Sequence, residues 1–79
     1  MTTEQKRLLY EIADWHSQEF YINMKDTWTL NDDLYNIKCR NKIRELEAEY
    51  KRTYGDLPEW KYIDDVWATM GKLGKELGI

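Results

Sequence analysis

The fold is decided by residues 29–55, TLNDDLYNIKCRNKIRELEAEYKRTYG. Apolar side chains recur there at the three- and four-residue spacing of one helix face; they are Tyr35, Cys39, Ile43, Leu46, Tyr50 and Tyr54. Asn31, or Thr29 together with Asp32, is suited to cap the N-terminus. Gly55 stands where helices commonly end. The pattern predicts one long amphipathic helix.

A second, shorter apolar stripe lies on another side of the same helix. It is formed by Leu30, Leu34 and Ile37. The positions that continue it are polar or small: Asn41, Arg44 and Ala48. The helix is therefore apolar on more than one side only in its first half.

Two further helices are predicted beside this one. Thr2 and Gln5 form a capping-box pattern ahead of a broad apolar face. At the other end, Asp56-Leu57-Pro58-Glu59 is typical of a helix start, with an N-cap, an early proline and a capping glutamate. Three glycines follow in the last nine residues, and they favour fraying after Met70 over a close helix approach.

We therefore expect an all-α three-helix domain that occupies residues 1–79 as a single unit. Helix 1 is expected at about residues 3–25, helix 2 at about 31–54 and helix 3 at about 57–77. Helices 2 and 3 are expected to pair antiparallel across a short turn at Gly55–Asp56, with helix 1 packed on both.

Length and composition exclude several classes of protein. The chain has 79 residues with one Cys and one His, which excludes a disulfide framework and the common four-ligand zinc patterns. No stretch approaches about 18 apolar residues, and Met1–Arg7 lacks the apolar region of a signal peptide. We expect a cytoplasmic protein in a reducing compartment, with no membrane partner, cofactor or metal.

Candidate catalytic groups are few. His16 and Cys39 would need to meet, and a third group would have to orient the histidine; both lie on apolar helix faces, which favours core roles. Adjacent carboxylates such as Asp32-Asp33 and Asp64-Asp65 do not face each other on a helix. The first pair is typical of a helix start and the second of a solvated face. We expect no enzymatic activity.

The main charge feature is a basic run in helix 2, from Lys38 to Arg44, in a chain of net charge −3. Alternate residues on a helix do not form one patch, and acids follow at helical spacing. The expected ion pairs are Lys42 with Glu45, Arg44 with Glu47, and Glu47 with Lys51. This favours a salt-bridged surface over contact with nucleic acid, which usually requires a wider positive field.

The aromatic residues are the main anomaly: four Trp, six Tyr and one Phe. Trp15, Trp60 and Trp67 fall on predicted core stripes. Tyr10, Tyr21 and Trp28 fall outside the main face of helix 1. These rings either cover the core or enter a homo-oligomer, or they contact a partner or a ligand ring. With Arg40 and Arg44, they are the predicted partner-contact residues.

Small size and aromatic richness resemble the short early proteins of phages and other mobile elements. The leading hypothesis is therefore a non-enzymatic protein-interaction module that inhibits a host enzyme or defence complex, in an anti-CRISPR-like mode of action. A first alternative is a small nucleic-acid-binding regulator that uses the basic segment of helix 2. A second is an oligomeric sponge for a nucleotide-like ligand. Self-association is left open by all three.

Overall fold

The computed structural model describes all 79 residues and contains three α-helices and no strand. Helix α1 spans Thr3–Asn23, α2 spans Leu30–Tyr54 and α3 spans Ile63–Leu77. The all-α three-helix class is confirmed, and the bounds of α1 and α2 agree with the sequence patterns to within two residues. None of the helices is both long and apolar enough to cross a bilayer.

Helix α1 is the centre of the fold, since α2 and α3 each contact α1 but not each other. The Gln5 amide near the start of α1 donates to the Tyr50 hydroxyl near the end of α2, at 3.0 Å. The Trp67 indole near the start of α3 donates to Ser17 Oγ, in the second half of α1, at 3.0 Å. Both outer helices therefore run opposite to α1 and in the same direction as each other.

The predicted antiparallel pairing of helices 2 and 3 is accordingly wrong. Two helices that run the same way need a connection that returns the length of the bundle, and a two-residue turn cannot provide it. Residues 55–62 provide it, because eight extended residues span at most about 26–29 Å. Leu57 and Trp60 of this segment pack against the core cluster as the chain crosses.

The predicted start of helix 3 at residue 57 is wrong for the same reason, since α3 begins at Ile63. Asp65, expected on a solvated face, caps it: its carboxylate accepts from the backbone N–H groups of Lys61 at 3.1 Å and Tyr62 at 3.2 Å. The Trp60 indole N–H donates to Thr69 Oγ1 at 3.1 Å, which fixes the end of the connection to α3.

The core lies toward the end of the bundle where α1 begins and α2 and α3 finish. Its buried members share apolar side chains from all three helices: Leu9, Ile12, Leu46, Tyr50 and Leu73. Partly buried rings of Tyr10, Trp15, Tyr54 and Trp60 pack around them. A Trp or Tyr side chain buries about 150–250 Å², so these rings enlarge a core that so short a chain would otherwise leave small.

Helix α3 does not fray after Met70, because it continues to Leu77 and ends at Gly78 in the left-handed conformation, with φ of 74°. Gly74 is buried, and a Cβ there would lie 3.6 Å from the Tyr10 ring, an ordinary van der Waals distance. The alternative expectation, that the glycines permit a close helix approach, is therefore not confirmed.

The caps of α1 and α2 follow the sequence patterns. Thr2 Oγ1 accepts from the Gln5 backbone N–H at 3.1 Å. At α2, Asp32 accepts from the Thr29 N–H at 3.0 Å while Thr29 Oγ1 accepts from the Asp32 N–H at 3.3 Å, which completes a capping box. The Lys25 ammonium lies 2.8 Å from the Asp32 carboxylate and ties the end of α1 to this cap.

Candidate protein-interaction surface

Exposed apolar side chains concentrate at one end of the molecule. Antiparallel packing brings together the C-terminus of α1 and the N-termini of α2 and α3, and we call this the open end. Apart from the terminal residues Met1 and Ile79, every exposed large apolar side chain belongs to it: Tyr21, Met24, Trp28, Leu30, Leu34, Ile37, Tyr62 and Trp67. Groups of exposed apolar side chains are a common feature of interaction sites.

Three rings form an aromatic cluster between α1 and α3: Phe20, Tyr21 and Trp67. Tyr21 stacks on Trp67 with ring centroids 5.9 Å apart and an interplanar angle of 26°. Phe20 meets the Trp67 ring edge-on at 5.6 Å. The indole bond to Ser17 fixes the Trp67 orientation, yet Tyr21 remains 60% exposed and Trp67 36% exposed. The cluster is therefore both ordered and accessible.

A second apolar feature, the outer stripe, consists of Leu30, Leu34 and Ile37 on α2. These side chains are 74%, 57% and 54% exposed. The opposite face of α2 is the one that packs on α1, where Cys39 and Ile43 are buried. The outer stripe consequently has no partner within the chain.

The predicted partner-contact residues lie in different parts of the structure. Tyr10 does not lie on an outer surface, because α3 covers it: its ring packs against the core cluster and beside Gly74. Tyr21 belongs to the aromatic cluster. Trp28 lies outside the helices, in the loop between α1 and α2, and is 37% exposed.

Arg40 and Arg44 are exposed on α2, and neither lies within 4.0 Å of a carboxylate oxygen. Tyr21 rests on α3, which α2 does not touch. The five predicted residues therefore do not form one surface. The expected ion pairs along α2 are also absent, since Glu47 contacts His16 instead, with 3.2 Å between Oε2 and Nε2.

His16 lies in an open cleft of about 460 Å³, rather than in the core as its apolar face predicts. The cleft separates α2 from α3 and is closed on one side by residues 58–62. Trp60 meets the His16 ring edge-on at 5.7 Å, and Glu19, Asn23 and Lys61 add polar groups to the wall. The arrangement can hydrogen-bond a small polar group, with His16 and Glu47 as its paired donors and acceptors.

Cys39 has no part in this cleft, because its side chain is fully buried between α1 and α2. Burial raises the pKa of the Cys39 thiol, and the nearby Glu19 carboxylate acts in the same direction. A raised pKa keeps the sulfur protonated and weakly nucleophilic at neutral pH. The core role expected of Cys39 is confirmed. No three His, Cys, Asp or Glu side chains converge as a set that could hold a metal ion.

Trp67 and Phe20 are the surface residues that sequence reasoning missed. Trp67 falls on the apolar stripe of α3, which predicts a core position. The stripe runs Trp60, Ile63, Val66, Trp67, Met70, Leu73 and Leu77. Only α1 packs against α3, so a stripe of this width cannot be covered completely. The sequence did carry a signal for this exposure: the apolar stripe of α3 is wider than the surface that a single neighbouring helix can cover.

Comparison with family models, with curated protein sequences and with solved structures finds no match to this chain.

Proposed function

We propose that this chain is a non-enzymatic protein-interaction module that binds a partner protein through the aromatic cluster of Phe20, Tyr21 and Trp67. The observation that carries the proposal is the pair of stacked, solvent-accessible rings of Tyr21 and Trp67. Trp and Tyr are the residue types most enriched among those that dominate binding energy. Their large flat surfaces match an apolar pocket or groove on another protein.

The proposal is supported by the fixed orientation of the rings in the cluster and by their exposure to solvent. Immobilising a flexible side chain on binding costs about 0.5–1.5 kcal/mol. Here the Ser17 hydrogen bond and the Phe20 contact already hold Trp67, and Trp67 supports Tyr21. Much of that ordering is complete before a partner arrives.

The mode of action we propose is occlusion of the partner's surface, as in a stoichiometric inhibitor of a host enzyme or defence complex. Small size and the phage-like composition support this finer proposal. A module of 79 residues with a single compact core can block a site by occupying it. Inhibition that saturates at one equivalent of added chain would support this mode, whereas a partner of unchanged activity would contradict it.

The binding surface is tested with Tyr21→Ala. The partner is first captured on immobilised chain from the source cells, then purified so that Kd is measured by calorimetry. We expect Tyr21→Ala to weaken binding by about tenfold or more, the loss typical of a central aromatic contact. Trp67→Phe, which keeps an aromatic ring but removes the donor to Ser17, is expected to weaken it less.

Tyr62→Ala is the matched control, because Tyr62 is also an exposed tyrosine at the open end, 73% against 60% for Tyr21, and it stacks on no ring of the cluster. It is expected to keep the Kd within about threefold. Circular dichroism of all variants checks that the helices are intact. Equal affinities for wild type, Tyr21→Ala and Trp67→Phe would overturn the proposed surface.

A further inference from the structure

Helix α2 carries a second periodic line on the face opposite α1. Its members follow one another at alternating steps of four and three residues: Leu30, Leu34, Ile37, Asn41, Arg44 and Ala48. Such steps place side chains at the a and d positions of a heptad repeat. The residues that pack on α1, such as Cys39, Ile43 and Leu46, occupy the c and f positions on the other side. The line is thus a coiled-coil seam directed away from the rest of the chain.

The first half of the seam has the content of a short two-stranded coiled coil, whereas the next d position is occupied by the charged, exposed Arg44. Leu30 and Ile37 fall at d positions and Leu34 at an a position, and all are more than half exposed. Asn41 falls at the next a position. A polar Asn at a single a position commonly fixes register and strand number in coiled coils.

We propose that a second copy of this chain docks along α2, parallel and in register, to form a homodimer. Leu30, Leu34 and Ile37 would then each meet the same residue of the second copy. Asn41 would meet Asn41 of the second copy, so that each side-chain amide finds a hydrogen-bonding partner. The apolar stripe would leave water on both chains at once, which is the driving force of the association.

The charges beside the seam are compatible with this parallel arrangement. In a parallel pair, a g residue faces the e residue five positions later on the other helix. Asp33 would face Lys38, and Arg40 would face Glu45, so each contact joins opposite charges. All four side chains are exposed, and none is engaged in an ion pair within the chain, although the Lys38 ammonium lies over the Trp15 ring at 5.8 Å from its centroid.

The competing antiparallel arrangement keeps Leu34 against Ile37 of the second copy. It also places Asn41 against Leu30 of the second copy, where the amide has no partner. An unpaired buried polar group costs about 1–3 kcal/mol. The Asn41 position therefore disfavours the antiparallel pair.

The dimer is independent of the proposed function, because the seam and the aromatic cluster lie on different helices. Pairing through α2 leaves Tyr21 and Trp67 accessible on both copies. The assembly would present two aromatic clusters to a partner. Either proposal can therefore fail without affecting the other. Leu34→Glu tests the dimer, and Tyr21→Ala tests the partner-binding surface.

Mass is measured by light scattering on the full chain from about 1 to 100 µM. We expect wild type to approach twice the 9.6 kDa of the chain at the upper concentrations. Leu34→Glu is expected to remain monomeric with unchanged helicity, because it replaces an exposed side chain, whereas Tyr21→Ala is expected to dimerise as wild type does. A monomeric wild type at 100 µM, or a dimer that persists in Leu34→Glu, would overturn the proposal.

Charge reversal tests whether the occupant is a second copy. Arg40→Glu turns both of its symmetry-related contacts repulsive, and we expect the dimer Kd to rise about tenfold at low salt and less at high salt. Adding Glu45→Arg in the same chain restores opposite charges and should return the Kd to near the wild-type value. A double variant that is weaker than Arg40→Glu would contradict the predicted facing of these residues.

Orientation is tested with a spin label on Glu49→Cys, using wild type, whose Cys39 is buried, as the labelling control. In the parallel dimer the two labels lie side by side, at about 25 Å or less. In the competing antiparallel pair they are separated by about 40 Å along the helix, at 1.5 Å per residue. The longer distance would overturn the parallel arrangement.

Discussion

The two ends of the bundle are built in opposite ways. At the closed end, where α1 begins and α2 and α3 finish, apolar side chains fill the interior. At the open end the pattern is partly inverted: the polar residues Ser17, Asp32 and Asn36 are buried there beside Val66, while leucine, isoleucine and aromatic side chains point to solvent. Apolar burial, and the stability it provides, is therefore concentrated at the closed end. Exposed apolar surface is concentrated at the open end.

The inversion has a physical consequence for how the ends behave. Polar groups can be buried at the open end because they pair: Asn23 donates to Asn36 at 3.1 Å, and Trp67 donates to Ser17. Such hydrogen bonds contribute about 0.5–1.5 kcal/mol each, and a buried leucine or phenylalanine about 1.5–3 kcal/mol. The apolar side chains exposed at the open end would stabilise the fold more if they were buried in its interior. The two contact surfaces proposed above would account for the position of these side chains on the outside.

The largest expected effect compares an apolar side chain at each end. Ile12 is fully buried and Leu34 is more than half exposed. Ile12→Ala is expected to lower the free energy of unfolding by about 2–5 kcal/mol, because it removes buried methyl groups and leaves a cavity. Leu34→Ala is expected to change it by less than about 0.5 kcal/mol in dilute monomeric protein. Urea denaturation at about 1 µM measures both, and similar losses would remove the distinction between the ends.

Local sequence patterns account for the helices and their caps but not for the route of the chain between α2 and α3. Thr2, Thr29 and Gly55 act where the patterns place them, because a cap depends on neighbours within a few residues. The pattern at Asp56–Glu59 is as good locally, yet no helix starts there. Residues 56–59 stay non-helical because the chain must return along the length of the bundle before α3 can begin parallel to α2.

The candidate site was only partly predictable for a related reason. Helical spacing shows which face a residue occupies but not how many neighbours cover that face. Tyr10 and Tyr21 lie on the same side of α1, yet α3 buries much of Tyr10 beside Gly74 and leaves Tyr21 at its edge. The second stripe of α2 was visible in the sequence, and the structure adds that α3 does not reach it.

The next effect is a pH dependence of the open end. Hydrogen bonding to Lys25, and then to the Thr29 N–H, lowers the pKa of Asp32 below its usual value near 3.8. A lowered folded-state pKa contributes stability that is present above the unfolded pKa and lost as pH falls through the folded one. We expect Tm to decline below about pH 4 as α2 loses its cap.

Asp32→Asn isolates this contribution, because the amide oxygen can still accept from Thr29 while the charge is gone. Its Tm should be lower than that of wild type at pH 7, and the gap should narrow below pH 4. The measurement is thermal unfolding by circular dichroism at pH 7, 5, 4 and 3. A gap that stays constant across this range would show that the charge of Asp32 does not support the open end.

The smallest effect concerns α3, the helix that connects the two ends on one side of α1. Gly71 lies in its interior, and a Cβ there would meet nothing within 4 Å. Gly71→Ala is therefore expected to raise the free energy of unfolding by about 0.5–1 kcal/mol, through the lower backbone entropy of alanine. Because α3 is continuous from Ile63 to Leu77, Tm is expected to rise while the ellipticity at 222 nm stays the same. A rise in both quantities would contradict this continuity. Gly55→Ala is the control of opposite sign, because φ of 98° at Gly55 is strained for any side chain. A gain in helicity at Gly71 would mean that only the first half of α3, which carries Trp67, is firmly held on α1.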